Sequence, residues 1–162
     1  MTSIDKALDA NKRFALDYDP ARVSPRPRLR LAVLTCMDTR LSRKALGLAP
    51  GDAHLIRNAG GIVTEDAIRS LLISHYLLGT QEVMIVNHTD CGLMKATEGE
   101  LRTIVGESGG TAMQFHAFTD VEQNVREQLC KLTRYSWVRE EGMTVRGFVF
   151  EVETGCLREV VT

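Results

Sequence analysis

Three potential metal ligands sit where two apolar runs stop. Residues 29–35 (LRLAVLT) are followed at once by Cys36, and residues 82–87 (EVMIVN) by His88-Thr89-Asp90-Cys91. Two cysteines and one histidine form a known catalytic zinc set, in which three protein ligands leave the fourth position open to water. A structural zinc site more often supplies four ligands. His54, His75, His116, Cys130 and Cys156 do not fall at matching places. Composition alone leaves a second reading level with the first: two core cysteines and an ordinary loop histidine.

The neighbouring residues favour chemistry. Cys36 opens the run Cys36-Met37-Asp38-Thr39-Arg40. Arg40 can hold Asp38 through a bidentate pair. Asp38 can then accept a hydrogen bond from a metal-bound hydroxide, or occupy the metal itself. Elsewhere in a chain an Asp-x-Arg would read as a surface salt bridge. A third run, Arg57-Asn58-Ala59-Gly60-Gly61, comes at the end of the second expected strand, residues 54–57. Its two glycines permit close backbone approach and positive φ, and they would equally serve a plain strand-to-helix turn.

These residues need elements to hold them. Apolar spacing predicts a helix over 3–16, then an extended stretch over 17–28 carrying Pro20, Pro25 and Pro27. Strands are expected at 29–35, 54–57 and 82–87. A short helix is expected over 41–48, stopped by Pro50 and Gly51. Thr64 can cap a helix running to 78, with Glu65 and Asp66 in its first turn, where the helix dipole favours acids. A further amphipathic helix is expected over 120–134. The chain then reads as a β-hairpin formed by 144–153 and 157–161. The Gly-rich stretch 97–118 reads as a short helix within a long loop. Strand–helix alternation with apolar strands predicts an α/β fold: a mostly parallel central sheet with helices on both faces and an antiparallel edge hairpin. In such a sheet ligands gather beyond the carboxyl ends of the strands, at a switch point in the connections. That rule alone can bring Cys36 to His88 and Cys91.

The totals narrow the function further. The 162 residues fit one domain of ordinary size. Lys plus Arg (20) nearly balances Asp plus Glu (21), for a formal net charge of -1. This gives no electrostatic case for nucleic acid or an acidic membrane. Residues 1–20 mix charges without an apolar core, so a secretory signal is not expected. A transmembrane span is not expected either. A cytoplasmic location follows, where reduced cysteines suggest metal or catalysis before disulfides.

Together, Cys36-Met37-Asp38-Thr39-Arg40, Arg57-Asn58-Ala59-Gly60-Gly61 and His88-Thr89-Asp90-Cys91-Gly92 resemble the motifs of the β-class carbonic anhydrases, in order, spacing and strand context. The resemblance runs over about residues 29–152. It implies a zinc enzyme that interconverts carbon dioxide and bicarbonate, with Cys36, His88 and Cys91 on Zn2+ and Asp38–Arg40 as the catalytic dyad. It also implies a homodimer or homotetramer. Residues 1–28 would then be a dimerisation arm, whose helix embraces the partner subunit, and residues 29–162 a single zinc-binding catalytic domain. Zinc lowers the pKa of bound water toward about 7 in three-histidine sites. Two thiolates should leave that water less acidic, and a positive Arg40 partly offsets this. The resulting hydroxide attacks carbon dioxide while Asp38 orients it. The substrate is small and apolar, so Leu41, Ile62, Val63 and Leu93 are candidates to line its pocket, and the Gly60 N–H to touch it. Each of the four also reads as core packing.

Two departures stand out. Plant-type members carry a glutamine before the first cysteine, but the first Gln here is Gln81. Some bacterial members bind regulatory bicarbonate with a Trp upstream of that cysteine, but the one Trp here is Trp137. Two alternatives remain open at this stage. One is a hydrolase of carbonyl sulfide or carbon disulfide on the same scaffold. The other is a non-catalytic dimer stabilised by zinc, against which the presence of both Asp38 and Arg40 argues.

Overall fold

The computed structural model describes residues 1–106 and 113–161. Five strands form one sheet in the order β2-β1-β3-β4-β5. They are β1 (Leu31–Cys36), β2 (Ala53–Asn58), β3 (Glu82–His88), β4 (Thr144–Phe150) and β5 (Leu157–Val160). The first four run parallel, while β5 turns back antiparallel to β4 with Phe150 opposite Leu157. The helices are α1 (Ser3–Leu16), α2 (Glu65–Tyr76), α3 (Glu98–Val105), α4 (Val121–Thr133) and α5 (Ser136–Glu140). None among the described residues is long and apolar enough to cross a membrane.

The caps follow from sequence. The Thr64 side chain accepts the Ala67 N–H and Asp120 accepts that of Gln123, so both helices begin where a short polar side chain satisfies a free backbone donor. After α2, Gly79 at φ +80 reverses the chain, and its N–H reaches the His75 carbonyl.

Strand parity divides the core in two. Ala32, Leu34, Val83, Ile85 and Val149 face α2, α4 and α5, packing on Ile68, Leu71, Leu129, Leu132 and Trp137. Val33, Val86 and Phe150 face the other way and are covered by Leu41 and Leu46. The mostly parallel sheet with its edge hairpin is the architecture the sequence predicts, but the cover of the second face differs. Residues 41–48 form consecutive turns rather than a helix. The Leu46 N–H reaches the Ser42 carbonyl, but Gly47 at φ +72 ends the coil after one turn. Burying Leu41 and Leu46 on the sheet outweighs the helical spacing of the apolar residues. Helix α5 had no expectation at all. The expected short helix in 97–118 is α3, and residues 107–112 of that stretch lie outside the described residues.

Helix α1 contrasts with this core. Thr2 and Asp5 form a reciprocal capping box, yet no residue of the helix is buried. Ile4, Leu8, Phe14 and Leu16 are all exposed.

Candidate metal centre

The sheet order explains why the ligands meet. From β1 the chain leaves toward β2, and from β3 it leaves toward β4 on the other side. The connections diverge between β1 and β3, so a crevice opens at their carboxyl ends. Cys36 ends β1, His88 ends β3 and Cys91 follows three residues later. Their donor atoms lie within 4.8 Å of one another, and all three residues are buried.

Two of these three side chains, His88 and Cys36, are oriented from behind. His88 Nδ1 lies 2.8 Å from the Thr89 carbonyl, which requires a proton on that nitrogen. Nε2 is therefore the nitrogen whose lone pair is available to a metal. Nε2 is buried with no hydrogen-bond partner. Thr89 itself is tied to β4: its N–H donates to the Phe150 carbonyl, and its hydroxyl accepts the Val152 N–H at 3.0 Å. Cys36 Sγ accepts the Gly60 N–H at 3.4 Å. That N–H was expected to face substrate, but it is spent on the ligand sulfur.

The two thiols differ sharply. Cys36 ionises readily, first because the Cys91 thiol donates to it; burial opposes this, and His88 with the N–H groups of Asp38 and Gly60 adds to it. Cys91 is pushed up, first by that same contact with Cys36 and then by burial. For His88, burial favours the neutral ring, but Cys36, the Thr89 carbonyl and Asp38 outweigh it and raise the pKa. The cluster therefore keeps protons that a bound dication would displace. A buried orphan nitrogen beside two sulfurs fits zinc well: Cys and His donors at short mutual distances, and a tautomer already fixed.

The expected pairing of Arg40 with Asp38 is present. Arg40 Nε donates to Asp38 Oδ1 at 2.9 Å and Arg40 NH2 to Asp38 Oδ2 at 2.7 Å. This pair, with the Arg40 backbone N–H, holds the Asp38 carboxyl well below the usual range against the opposing effect of burial. Asp38 Oδ2 lies 3.8 Å from His88 Nε2, so the carboxylate reaches the ligand cluster. Arg57 fixes the same loop, donating to the Cys36 carbonyl at 3.1 Å and the Asp38 carbonyl at 2.5 Å.

The glycine loop sits against both sulfur and wall. Gly60 has φ +80, and a Cβ there would meet Leu93 Cδ1 at 2.7 Å and Ile62 Cγ1 at 3.2 Å. Gly61 has φ +64, and a Cβ there would lie 2.8 Å from Asn87 Nδ2 and 3.0 Å from the Cys36 nitrogen. Asn58 clasps the loop through the Ile62 N–H and carbonyl, both at 2.8 Å. Thus Gly60, Ile62 and Leu93 meet beside Cys36. Leu41 and Val63 instead lie fully buried in the two core clusters.

A chain of buried amides was not foreseen. The Val63 N–H donates to Gln128 Oε1, Gln128 Nε2 to Asn124 Oδ1, Asn124 Nδ2 to Asn87 Oδ1, and Asn87 Nδ2 to the Gly60 carbonyl. All four bonds are 2.8–2.9 Å long. Every amide points the same way, so each bond polarises the next. The available signal was a pair of amides four residues apart on the apolar side of α4, together with an Asn ending an otherwise apolar strand.

The chain is similar to known proteins over nearly its whole length. A family model described as carbonic anhydrase matches residues 31–112. The chain is 37% identical over 163 residues to β-carbonic anhydrase 1 of Mycobacterium tuberculosis, covering 99% of both proteins. It is 31% identical to a carbon disulfide hydrolase of Saccharolobus solfataricus, covering 96% of this chain and 90% of that one. The crystal structure of a carbonic anhydrase from Streptococcus mutans superposes with a TM-score of 0.90 at 39% identity, over 99% of both chains. On the family model and the full-length likeness, this chain belongs to the β-carbonic anhydrase family.

Proposed function

We propose that the protein is a zinc-dependent carbonic anhydrase, with Cys36, His88 and Cys91 as the metal ligands and Asp38–Arg40 as the dyad. The observation that carries this is the orphaned His88 Nε2, buried beside two cysteines and 3.8 Å from a carboxylate that Arg40 holds in place. Zinc held there would supply a Lewis acid that makes hydroxide available near neutral pH. Asp38, ionised and fixed, accepts a hydrogen bond from that nucleophile and leaves its lone pair aimed at the carbon of carbon dioxide. Arg40 keeps Asp38 in that orientation and keeps it anionic. Ile62 and Leu93, meeting at Gly60, offer an apolar wall suited to a linear apolar substrate. Leu41 and Val63 would support this wall from the core. The bicarbonate formed is polar and gains nothing from that wall, which favours its release.

Residues 1–28 would be a dimerisation arm on a catalytic domain of residues 29–162, because α1 leaves its apolar residues uncovered within its own chain. A homodimer, or a tetramer built from two, would cover them. The paired thiols suit the reducing cytoplasm.

Stopped-flow carbon dioxide hydration, run beside carbonyl sulfide and carbon disulfide assays, tests the reading. Asp38→Ala and Arg40→Ala should keep zinc but lose roughly 10²–10⁴-fold in hydration rate, the range for positioned proton-handling groups. The double variant should be little slower than the poorer single one, because groups acting as a unit are not additive. Parent-like rates in the single variants would end the dyad assignment. A parent that ignores carbon dioxide but hydrolyses carbon disulfide would keep the scaffold and change the substrate.

A further inference from the structure

Asp90 stands between two of the ligands, His88 and Cys91, in a left-handed conformation with φ +56. Such a conformation is costly for most residues and easiest for glycine. The Asp90 side chain binds the dyad arginine: Arg40 NH1 donates to Asp90 Oδ2 at 2.9 Å, and Arg40 NH2 to the Asp90 backbone carbonyl at 3.1 Å. Arg40 thus uses one edge of its guanidinium, Nε and NH2, for Asp38, and the neighbouring edge, NH1 and NH2, for Asp90. The other Asp90 oxygen is held by Lys95 Nζ at 2.6 Å.

We infer that Asp90 is a positioning residue for the reaction, fixing Arg40 so that Arg40 can fix Asp38. This rests on the reading that Asp38 and Arg40 handle the nucleophile. Arg40 alone could swing about its own flexible stem while still paired with Asp38, because both belong to one loop. Asp90 belongs to the loop after β3, which also carries His88 and Cys91. Through Asp90, Arg40 joins the loop that aims the nucleophile to the loop that bears two of the three ligands. Stability does not account for the arrangement. Arg40, Asp90 and Lys95 are 41%, 48% and 64% exposed at their side chains, and exposed ion pairs contribute little to folding. Asp tolerates this conformation better than most residues but glycine better still, so the backbone alone does not call for a carboxylate here.

Asp90→Gly separates the two roles. It relieves the left-handed strain, so thermal stability should hold or rise, and zinc content should remain that of the parent. Carbon dioxide hydration should fall by about tenfold, a modest share of the loss that misplaced catalytic groups can produce. The fall should appear equally in kcat and kcat/KM with KM unchanged, because orientation of the nucleophile matters only in the transition state. Asp90→Asn, which keeps an acceptor oxygen for Arg40, should recover most of the rate. In the Arg40→Ala background, Asp90→Gly should cost nothing further. Parent-like rates in Asp90→Gly while Arg40→Ala is slow would overturn the inference and leave the dyad standing. Parent-like rates in Arg40→Ala would remove the dyad itself. Loss of zinc in both Asp90 variants, or losses that multiply with Arg40→Ala, would show that Asp90 acts elsewhere and overturn the inference.

Discussion

Around Cys36, His88 and Cys91 almost every polar atom finds a partner within the chain, whereas along α1 no residue is buried at all. Both regions are written in clear local patterns. The ligand loops follow strands, and α1 has a capping box and an apolar spacing of its own. The difference lies in what each needs to be complete. The ligand loops need only the sheet order, which puts β1 beside β3 inside one chain. The helix needs an apolar surface that the described residues do not wrap around it. A helix of 14 residues is marginal by itself in water, below about 12–15 residues even for favourable sequences. One region is therefore specified by the fold of a single chain, and the other points to assembly.

The sharpest way to break this comparison is at the ligands. The parent should carry about one zinc per chain, as a three-ligand site requires. Cys36→Ala and Cys91→Ala should each lose the metal, and hydration should fall below detection. Metal analysis of the dialysed variants checks this, and full zinc retention in both would remove the ligand assignment.

Deleting residues 1–20 probes the other side. If the site is complete within one chain, the truncated protein should still bind zinc while its assembly weakens. Light scattering should then show dissociation at concentrations where the parent stays oligomeric. A truncated chain that assembles as the parent does would mean that α1 is not the element seeking a partner.

The site was more legible than its support. The grouping of Cys36, His88 and Cys91 could be read because Cys36 and His88 each follow an apolar run directly, Cys91 lies three residues on, and the rule for parallel sheets supplies the third dimension. Asp38 and Arg40 lie in the same loop as Cys36, so their pairing is local. Legibility ended where a partner lies far away in sequence. Asn87, Asn124 and Gln128 look like stray polar residues until β3 and α4 are packed together. The Gly60 N–H could not be assigned to sulfur from sequence, since that requires the register of Cys36 against Asn58. The apolar residues within 41–48 read as a short helix stopped by Pro50 and Gly51. Their burial against β1 and β3 decided otherwise.

The amide chain offers a smaller test, inside the self-contained region. Asn124→Leu would leave Asn87 Oδ1 and Gln128 Nε2 buried without partners. Each such group costs about 1–3 kcal/mol. Calorimetry should show a drop in Tm of roughly 4–24 °C, for two such groups at 2–4 °C per kcal/mol in a domain of this size. An unchanged Tm would mean that the amides only fill space.

The smallest effect concerns His75, at the end of α2. Its Nδ1 lies 2.7 Å from the Thr80 carbonyl, and its Nε2 2.8 Å from Glu141 Oε2. Both neighbours are acceptors, so both ring nitrogens are satisfied only when both carry protons. Burial disfavours that charge, but the Thr80 carbonyl and Glu141 outweigh it, and the folded-state pKa lies above 6.5. Tyr76, whose hydroxyl donates to Glu141, and the stacked ring of Trp137 add no charge to this corner at neutral pH. Protonated His75 therefore binds its proton more tightly folded than unfolded. Its contribution to stability is fully present below the unfolded pKa of about 6.5 and is lost as pH rises through the higher folded value. Glu141→Gln removes the charge while keeping an acceptor. The parent should exceed this variant in Tm at about pH 6, and the gap should narrow as pH rises through the raised folded-state value and the ring becomes neutral. A gap that widens with rising pH would show that His75 is already neutral in the folded protein and that Glu141 stabilises it by some other contact.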